Sequence, residues 1–137
     1  MDDDGDLDAF VANGGWQGNQ PNQVWINDGS GTFTEGQSFG AAYNANVELG
    51  DVDNDGDLDA FVTNHGEGDK VWINDGNGSF TDPGQSLEAP KSMVVELGDV
   101  DDDGDLDAFV ANRKQGNKVY INDGAVNIKA SGQALGS

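Results

Sequence analysis

The chain has no cysteine, a single histidine and only six basic residues among its 137. The lack of cysteine excludes disulfide bonds and thiolate metal sites. No apolar run approaches the ~20 residues that a membrane-spanning helix needs, and no signal peptide is visible. With 35 % hydrophobic residues, the chain has the length and composition of one domain with a modest core.

Acidic residues dominate the charge. The chain has 26 Asp and Glu residues, which gives a formal net charge of −20. Such a charge argues against nucleic acid or an anionic membrane as a partner, because both are themselves negative. Sixteen of the 26 acidic residues fall within residues 2–8, 51–59 and 99–107, so the charge is concentrated in three short segments.

A nine-residue acidic pattern accounts for these segments. Its intact copies are DVDNDGDLD at residues 51–59 and DVDDDGDLD at residues 99–107, and residues 2–8 contain its last seven positions. Ala-Phe-Val follows each copy directly. We number the pattern from 1 to 9, so that Asp occupies all odd positions and Gly occupies position 6. The three segments are named loop 1, loop 2 and loop 3 in chain order.

The rest of the chain repeats together with the acidic pattern. The glycine of position 6 recurs at 5, 56 and 104, and Asn-Asp-Gly recurs at 27–29, 74–76 and 122–124. Asn-Asp-Gly between alternating strands is a strong hairpin signal, and each unit contains four short predicted strands separated by turn signals. The sequence therefore predicts an all-β chain made of β-propeller blades.

The predicted blades span residues 1–43, 44–91 and 92–137 and hold eleven strands. The first blade has three strands, because the strand that precedes the acidic loop is missing from it. Three blades do not close a ring, since propellers typically have 4–8, so we expect a homodimer that forms one ring of six blades. The alternative is that the chain is a fragment of a larger secreted protein. The near-identity of the repeats indicates recent duplication or deliberate design.

Aspartates on alternate residues around a glycine form the oxygen-rich turn that Ca²⁺ prefers. The glycine permits the backbone reversal, and position 7 can offer its carbonyl. An EF-hand is excluded, because Val62 and Val110 stand at position 12, where that motif needs a bidentate Glu. A flexible all-oxygen cage without phosphate favours Ca²⁺ over Mg²⁺. The alternative is a solvated acidic turn without metal, but the adjacent carboxylates repel one another unless a cation neutralises them.

The pattern Asp-x-Asp-x-Asp-Gly-x-x-Asp, followed by an apolar strand, resembles the FG-GAP/VCBS repeats of the integrin α-subunit propeller and of many bacterial surface or secreted proteins. The resemblance implies a structural Ca²⁺ ion and an extracellular or cell-surface location. The ligands it implies in loops 2 and 3 are Asp51, Asp53, Asp55 and Asp59 with the carbonyl of Asp57, and Asp99, Asp101, Asp103 and Asp107 with the carbonyl of Asp105. In loop 1, which lacks position 1, they are Asp2, Asp4 and Asp8 with the carbonyl of Asp6.

The remaining candidate residues are aromatic. Trp16 lies in a polar insertion that only the first unit has, where it can stack on a sugar ring or close the longer loop. Trp25, Trp72 and Tyr120 occupy one place in the three units, and we interpret them as packing between blades. His65 has no recognisable Ser or Cys nucleophile in its sequence surroundings, and we interpret it as a surface residue.

Two functions follow from these features. The first is a calcium-stabilised scaffold that self-assembles into a ring. The second is a lectin-like or adhesion module that binds glycans or proteins on the propeller face, for which Trp16 is the sequence support. Carboxylates committed to Ca²⁺ are unavailable as a glycosidase acid and base, so we expect no enzyme activity.

Overall fold

The computed structural model of the chain describes residues 1–14, 20–41, 43–85, 87–88 and 91–136. No stretch of this described chain forms a helix with the length and hydropathy that crossing a membrane requires. The described residues form eleven β-strands: β1 (Ala9–Val11), β2 (Pro21–Asn27), β3 (Phe33–Ala41), β4 (Asn44–Gly50), β5 (Asp59–Asn64), β6 (Lys70–Asn74), β7 (Phe80–Thr81), β8 (Ser92–Gly98), β9 (Asp107–Asn112), β10 (Asn117–Ile121) and β11 (Lys129–Leu135).

Consecutive strands pair into three antiparallel sheets, which we call blades. Blade 1 is β1-β2-β3, blade 2 is β4-β5-β6-β7 and blade 3 is β8-β9-β10-β11. The register repeats from blade to blade: Ala60 lies opposite Trp72 in blade 2, and Ala108 lies opposite Tyr120 in blade 3. The predicted all-β fold, with propeller-like blades of three and four strands, is confirmed.

The acidic loops lie at equivalent ends of the blades. Loop 2 connects β4 to β5, loop 3 connects β8 to β9, and loop 1 precedes β1. The first strands of blades 2 and 3, β4 and β8, contact each other across the blade boundary. A loop in one blade therefore has the loop of the next blade as its neighbour.

The Asn-Asp-Gly turns join the last two strands of each blade. In blade 2 the Asp75 Oδ1 atom accepts the backbone N–H groups of Asn77 and Ser79, at 2.9 and 3.2 Å. The Asp75 N–H donates to the Ser79 carbonyl at 3.1 Å, and Gly76 has a φ of 74°. The aspartate side chain thus closes the turn together with the backbone, and the glycine supplies the left-handed conformation.

Each blade has two apolar faces, because side chains alternate across a strand. We call the face towards the following blade the forward face and the face towards the preceding blade the backward face. In blade 2, Phe61 lies on the forward face against blade 3, whereas Ala60 and Val62 lie on the backward face against blade 1. All three side chains are fully buried.

The core consists of two apolar clusters, one at each boundary between blades. The buried members are Val24, Phe39, Ala60, Val62 and Phe80 between blades 1 and 2, and Val52, Phe61, Val71, Leu87, Val95, Ala108, Val110, Tyr120 and Ile128 between blades 2 and 3. In the first cluster the rings of Phe39 and Trp72 have centroids 4.5 Å apart. The blades are therefore held together by burial between sheets, as in face-to-face sheet packing generally.

Candidate metal centre

Loops 2 and 3 fold around the carboxylate at position 1. The backbone N–H groups of Asp55 and Gly56 donate to the two oxygens of Asp51, at 3.1 and 3.0 Å. Asp99 accepts the equivalent pair of bonds in loop 3, at 3.2 and 2.9 Å. A single carboxylate thereby reverses the backbone within six residues.

Positions 4 and 6 have left-handed backbone in all three loops. At position 4, φ is 58° for Asp3, 63° for Asn54 and 62° for Asp102, and the glycines at position 6 have φ values from 93° to 98°. Asn and Asp tolerate this region better than other residues with a side chain, and Gly enters it without steric penalty. The sequence reasoning explained the glycine and missed position 4. The signal that could have revealed it is that only Asn and Asp occur there.

The structure brings two groups of carboxylates together. In each group the candidate ligand oxygens all lie within 4.8 Å of one another, and the groups are Asp51, Asp53 and Asp55 in loop 2 and Asp99, Asp101 and Asp107 in loop 3. Asp59 lies outside the first group and Asp103 outside the second. Within the described residues 1–14, the predicted ligands Asp2, Asp4 and Asp8 form no such group.

The aspartate at position 9 has a structural role of its own. Asp59 is buried, and its two oxygens accept the backbone N–H groups of Asn74 and Val52, each at 2.9 Å. Burial raises the pKa of Asp59 to about 6, although these two hydrogen bonds act in the opposite direction. Asp107 accepts equivalent bonds, also at 2.9 Å. The side chain therefore ties the start of the acidic loop to the end of the third strand.

Loop 1 makes the same bridge with a different donor. The Oδ2 atom of Asp8 forms an ion pair with the amino group of Met1 at 2.9 Å, and its Oδ1 atom accepts the N–H of Asn27 at 2.9 Å. Burial raises the pKa of Asp8, but the bond from Asn27 and the Met1 ammonium outweigh it, so the pKa is lowered overall. Met1 occupies the place that Val52 has in loop 2.

Position 7 connects each acidic loop to its own Asn-Asp-Gly turn. A Cβ atom added to Gly76 would lie 2.5 Å from a carboxylate oxygen of Asp57, and Gly124 has the same relation to Asp105 at 2.6 Å. Position 7 also links neighbouring loops, because Asn54 Nδ2 donates to Asp105 Oδ1 at 2.7 Å. The sequence reasoning assigned position 7 only a carbonyl ligand and did not predict either contact.

Family comparison supports this repeat. The model of the FG-GAP-like repeat matches residues 1–62 and again residues 51–110, which together form most of the chain. The chain belongs to the FG-GAP-like repeat family. No curated protein matches it significantly. FG-GAP-like repeats are structural or binding repeats and typically occur in extracellular proteins.

The oxygens of FG-GAP-like loops 2 and 3 suit a hard divalent cation. Burial and, second, the negative charge of Asp55 raise the pKa of Asp53, and burial and the charge of Asp103 raise the pKa of Asp101. A cation among these oxygens would replace repulsion with attraction. The grouped donors are carboxylate oxygens, a hard donor type that fits Ca²⁺.

The aromatic candidates lie in different parts of the structure. Trp72 packs against the cluster between blades 1 and 2, and Tyr120 is buried between blades 2 and 3. His65 is half-buried, and its ring meets the Tyr43 ring with centroids 5.4 Å apart. Trp16 lies outside the described residues, so a sugar-binding role for it stays a prediction from the sequence.

Proposed function

We propose that the chain is a calcium-stabilised FG-GAP-like repeat module whose role is structural and whose copies assemble into a closed ring. The observation that carries the proposal is the grouping of three carboxylates within 4.8 Å in each of loops 2 and 3. Three carboxylates at this distance are stable only with a cation among them or with protons on some of them. In a calcium-containing extracellular medium near neutral pH, binding of a Ca²⁺ ion is favoured over protonation of these carboxylates.

The bound ion would stabilise the blade through the loop that holds it. Loop 2 joins β4 to β5, and the two ends of the loop, Gly50 and Asp59, are paired residues of the sheet. The unfolded chain has no preformed site, so the free energy of ion binding adds to the free energy of unfolding. Two Ca²⁺ ions would also reduce the net charge of −20 by four, which lowers self-repulsion.

The same reasoning favours a non-catalytic role. The carboxylates at positions 1 and 9 accept backbone N–H groups, and those in the two groups are the ligands of the proposed ion. They are therefore engaged rather than available for proton transfer to a substrate. We place the module in an extracellular protein, where it acts as a scaffold in a ring of six blades from two chains.

Thermal unfolding with Ca²⁺, Mg²⁺ or a chelator tests the metal part of the proposal. Ca²⁺ at one hundred times its dissociation constant should stabilise the fold by about 2.7 kcal/mol for each site. Asp53→Asn and Asp101→Asn should each reduce this gain, whereas the exposed control Glu67→Gln should keep it. A wild-type Tm that responds to neither Ca²⁺ nor chelator would refute the metal claim. Native mass measurement tests the ring, with twice the chain mass of 14.3 kDa expected.

A further inference from the structure

The two end blades expose apolar side chains that the middle of the chain buries. On the forward face of blade 3, Val100, Phe109 and Leu135 are 55 %, 36 % and 39 % exposed. On the backward face of blade 1, Val11 and Phe33 are 38 % and 45 % exposed. Val100 belongs to loop 3, and the other four are among the six large exposed hydrophobic side chains of the described chain outside the acidic loops.

Each exposed residue has an equivalent that is buried at an internal boundary. Val52, Phe61 and Leu87 take the places of the blade 3 residues on the forward face of blade 2, and all three are at most 5 % exposed. Val62 and Phe80 take the places of the blade 1 residues on the backward face of blade 2, and both are at most 1 % exposed. The two end faces are thus the two halves of one type of interface.

We propose that the forward face of blade 3 docks on the backward face of blade 1 in a second copy of this chain. This contact would continue the series of interfaces between blades within one chain. The inference rests on the ring assembly of the proposed function and identifies the two surfaces that meet in it. It is a head-to-tail interface, because different surfaces of the two copies meet. Two copies use both end faces twice and close a ring, which leaves neither face exposed.

Glutamine side chains supply the polar part of the interface. Gln37 of blade 1 donates to the carbonyl of Phe80 in blade 2 at 2.8 Å and accepts the Phe80 N–H at 2.5 Å. Gln85 of blade 2 likewise donates to the carbonyl of Ile128 in blade 3 at 2.8 Å. Gln133 is the equivalent residue of blade 3 and is exposed. Its partner in the second copy is the backbone of Phe33, the counterpart of Phe80.

The asparagines of the Asn-Asp-Gly turns make the next contact. Asn122 of blade 3 donates to the carbonyl of Val52 in blade 2 at 2.7 Å, and Asn74 of blade 2 donates to the carbonyl of Met1 at 3.1 Å. The counterpart in blade 1 is Asn27, whose amide group donates within its own blade to a loop 1 carbonyl. In the proposed dimer, the Asn27 amide of one copy donates to the carbonyl of Val100, at position 2 of loop 3, in the other copy.

The leucine at position 8 of loop 3 covers the glycine that ends the first strand of blade 2. The Leu106 side chain lies against Gly50, where an added Cβ would be 2.8 Å from the Leu106 Cδ1 atom. Leu7 is 86 % exposed, and no atom lies within 4 Å of a Cβ built on Gly98. Leu7 of the second copy therefore fits over Gly98, and it completes the same pattern.

Paired single-face variants test the docking. In saturating Ca²⁺, we expect wild-type protein at twice the chain mass and Phe109→Asp or Val11→Asp alone at the mass of one chain, by light scattering and native mass measurement. Thr81→Asp, which adds the same charge to an exposed outer strand of blade 2, should leave the dimer intact. Gln133→Ala should weaken the dimer about tenfold without affecting the fold, since it removes hydrogen bonds made only between copies.

Mixing the two variants tests the direction of the contact. Phe109→Asp keeps a native backward face and Val11→Asp keeps a native forward face, so a one-to-one mixture should form a dimer through one interface. Dimers of Val11→Asp alone, or a mixture that stays monomeric while both variants melt normally, would overturn the head-to-tail arrangement. A wild-type monomer would overturn the docking altogether. If that monomer still gains stability from Ca²⁺, the metal part of the proposed function stands, and its ring part fails together with the docking.

Discussion

Asp69 provides the sharpest test of how the blades pack. Its side chain is fully buried at the boundary between blades 2 and 3, where Oδ1 accepts the N–H of Asn64 at 2.9 Å and Oδ2 accepts the Ser92 hydroxyl at 2.8 Å. Burial raises the pKa of Asp69 to about 7, against these two hydrogen bonds and the positive charge of Lys118. The other blades have asparagine in this place: Asn117 and Asn22 accept the equivalent N–H bonds, at 3.1 and 3.3 Å.

The substitution Asp69→Asn should make the fold less sensitive to pH. In the unfolded chain the carboxyl ionises near pH 3.8, whereas in the folded protein it keeps its proton to about pH 7. Because the folded state binds the extra proton, the wild-type free energy of unfolding falls as pH rises through this window and stays low above it. The two pH units between 5 and 7, at about 1.4 kcal/mol each, amount to about 3 kcal/mol. The amide cannot ionise, so it escapes this loss.

Urea unfolding of both proteins at pH 5 and pH 8, in the same Ca²⁺ concentration, measures the effect. The stability difference in favour of Asp69→Asn should grow by about 3 kcal/mol between the two pH values. Titration of the acidic loops is common to both proteins and cancels. The control is Asp82→Asn. The Asp82 carboxylate lies 2.8 Å from the Lys70 ammonium group, and its pKa is lowered. The difference in free energy of unfolding between this variant and wild type should therefore be the same at pH 5 and pH 8. Parallel wild-type and Asp69→Asn profiles would refute the assignment of a buried, protonated carboxyl.

Three other substitutions test single contacts, each by the free energy of unfolding in urea. Gly76→Ala should destabilise more than Gly84→Ala. Both substitutions carry the cost of a left-handed backbone, about 1–2 kcal/mol, but only at residue 76 must the added Cβ displace the end of the Asp57 side chain. Equal losses would contradict the contact. Phe61→Ala should destabilise by about 3–5 kcal/mol, because it opens a cavity between blades 2 and 3, and a loss below about 1 kcal/mol would contradict that packing. Gln85→Ala removes a hydrogen bond between blades and should cost about 1 kcal/mol, whereas no loss would mean that this bond contributes nothing.

The strand framework could be predicted because the repeats carry its signals locally. Asn-Asp-Gly turns and Ala-Phe-Val strands recur in every unit, and the sheets follow them. The last strand of each blade varies most in length. β3 and β11 continue through the segment that contains Gln37 and Gln133, whereas β7 ends at Thr81. The reason is local: Pro83 has no backbone N–H to donate to the strand ladder.

Contacts between units could not be predicted from the repeats. The burial of Asp69 depends on Ser92 of the next blade, and Asn54 meets Asp105 only because successive loops lie side by side. A polar residue between two strands is usually solvated, so nothing in the sequence near Asp69 indicates burial. The comparison that could have revealed it lies in the other units, where an uncharged asparagine occupies the same place.

The same side chain has a different energetic role in each unit. Phe10, Phe61 and Phe109 are equivalent, but Phe61 is fully buried and Phe109 is 36 % exposed. Stability in such an array is roughly the sum of blade terms and boundary terms, and three blades in one chain share only two boundaries. With the end faces paired, a ring of two chains has six boundaries between its six blades. Each chain then has the equivalent of three boundaries instead of two. Folding and assembly are then coupled, because the third boundary of each chain forms only between copies.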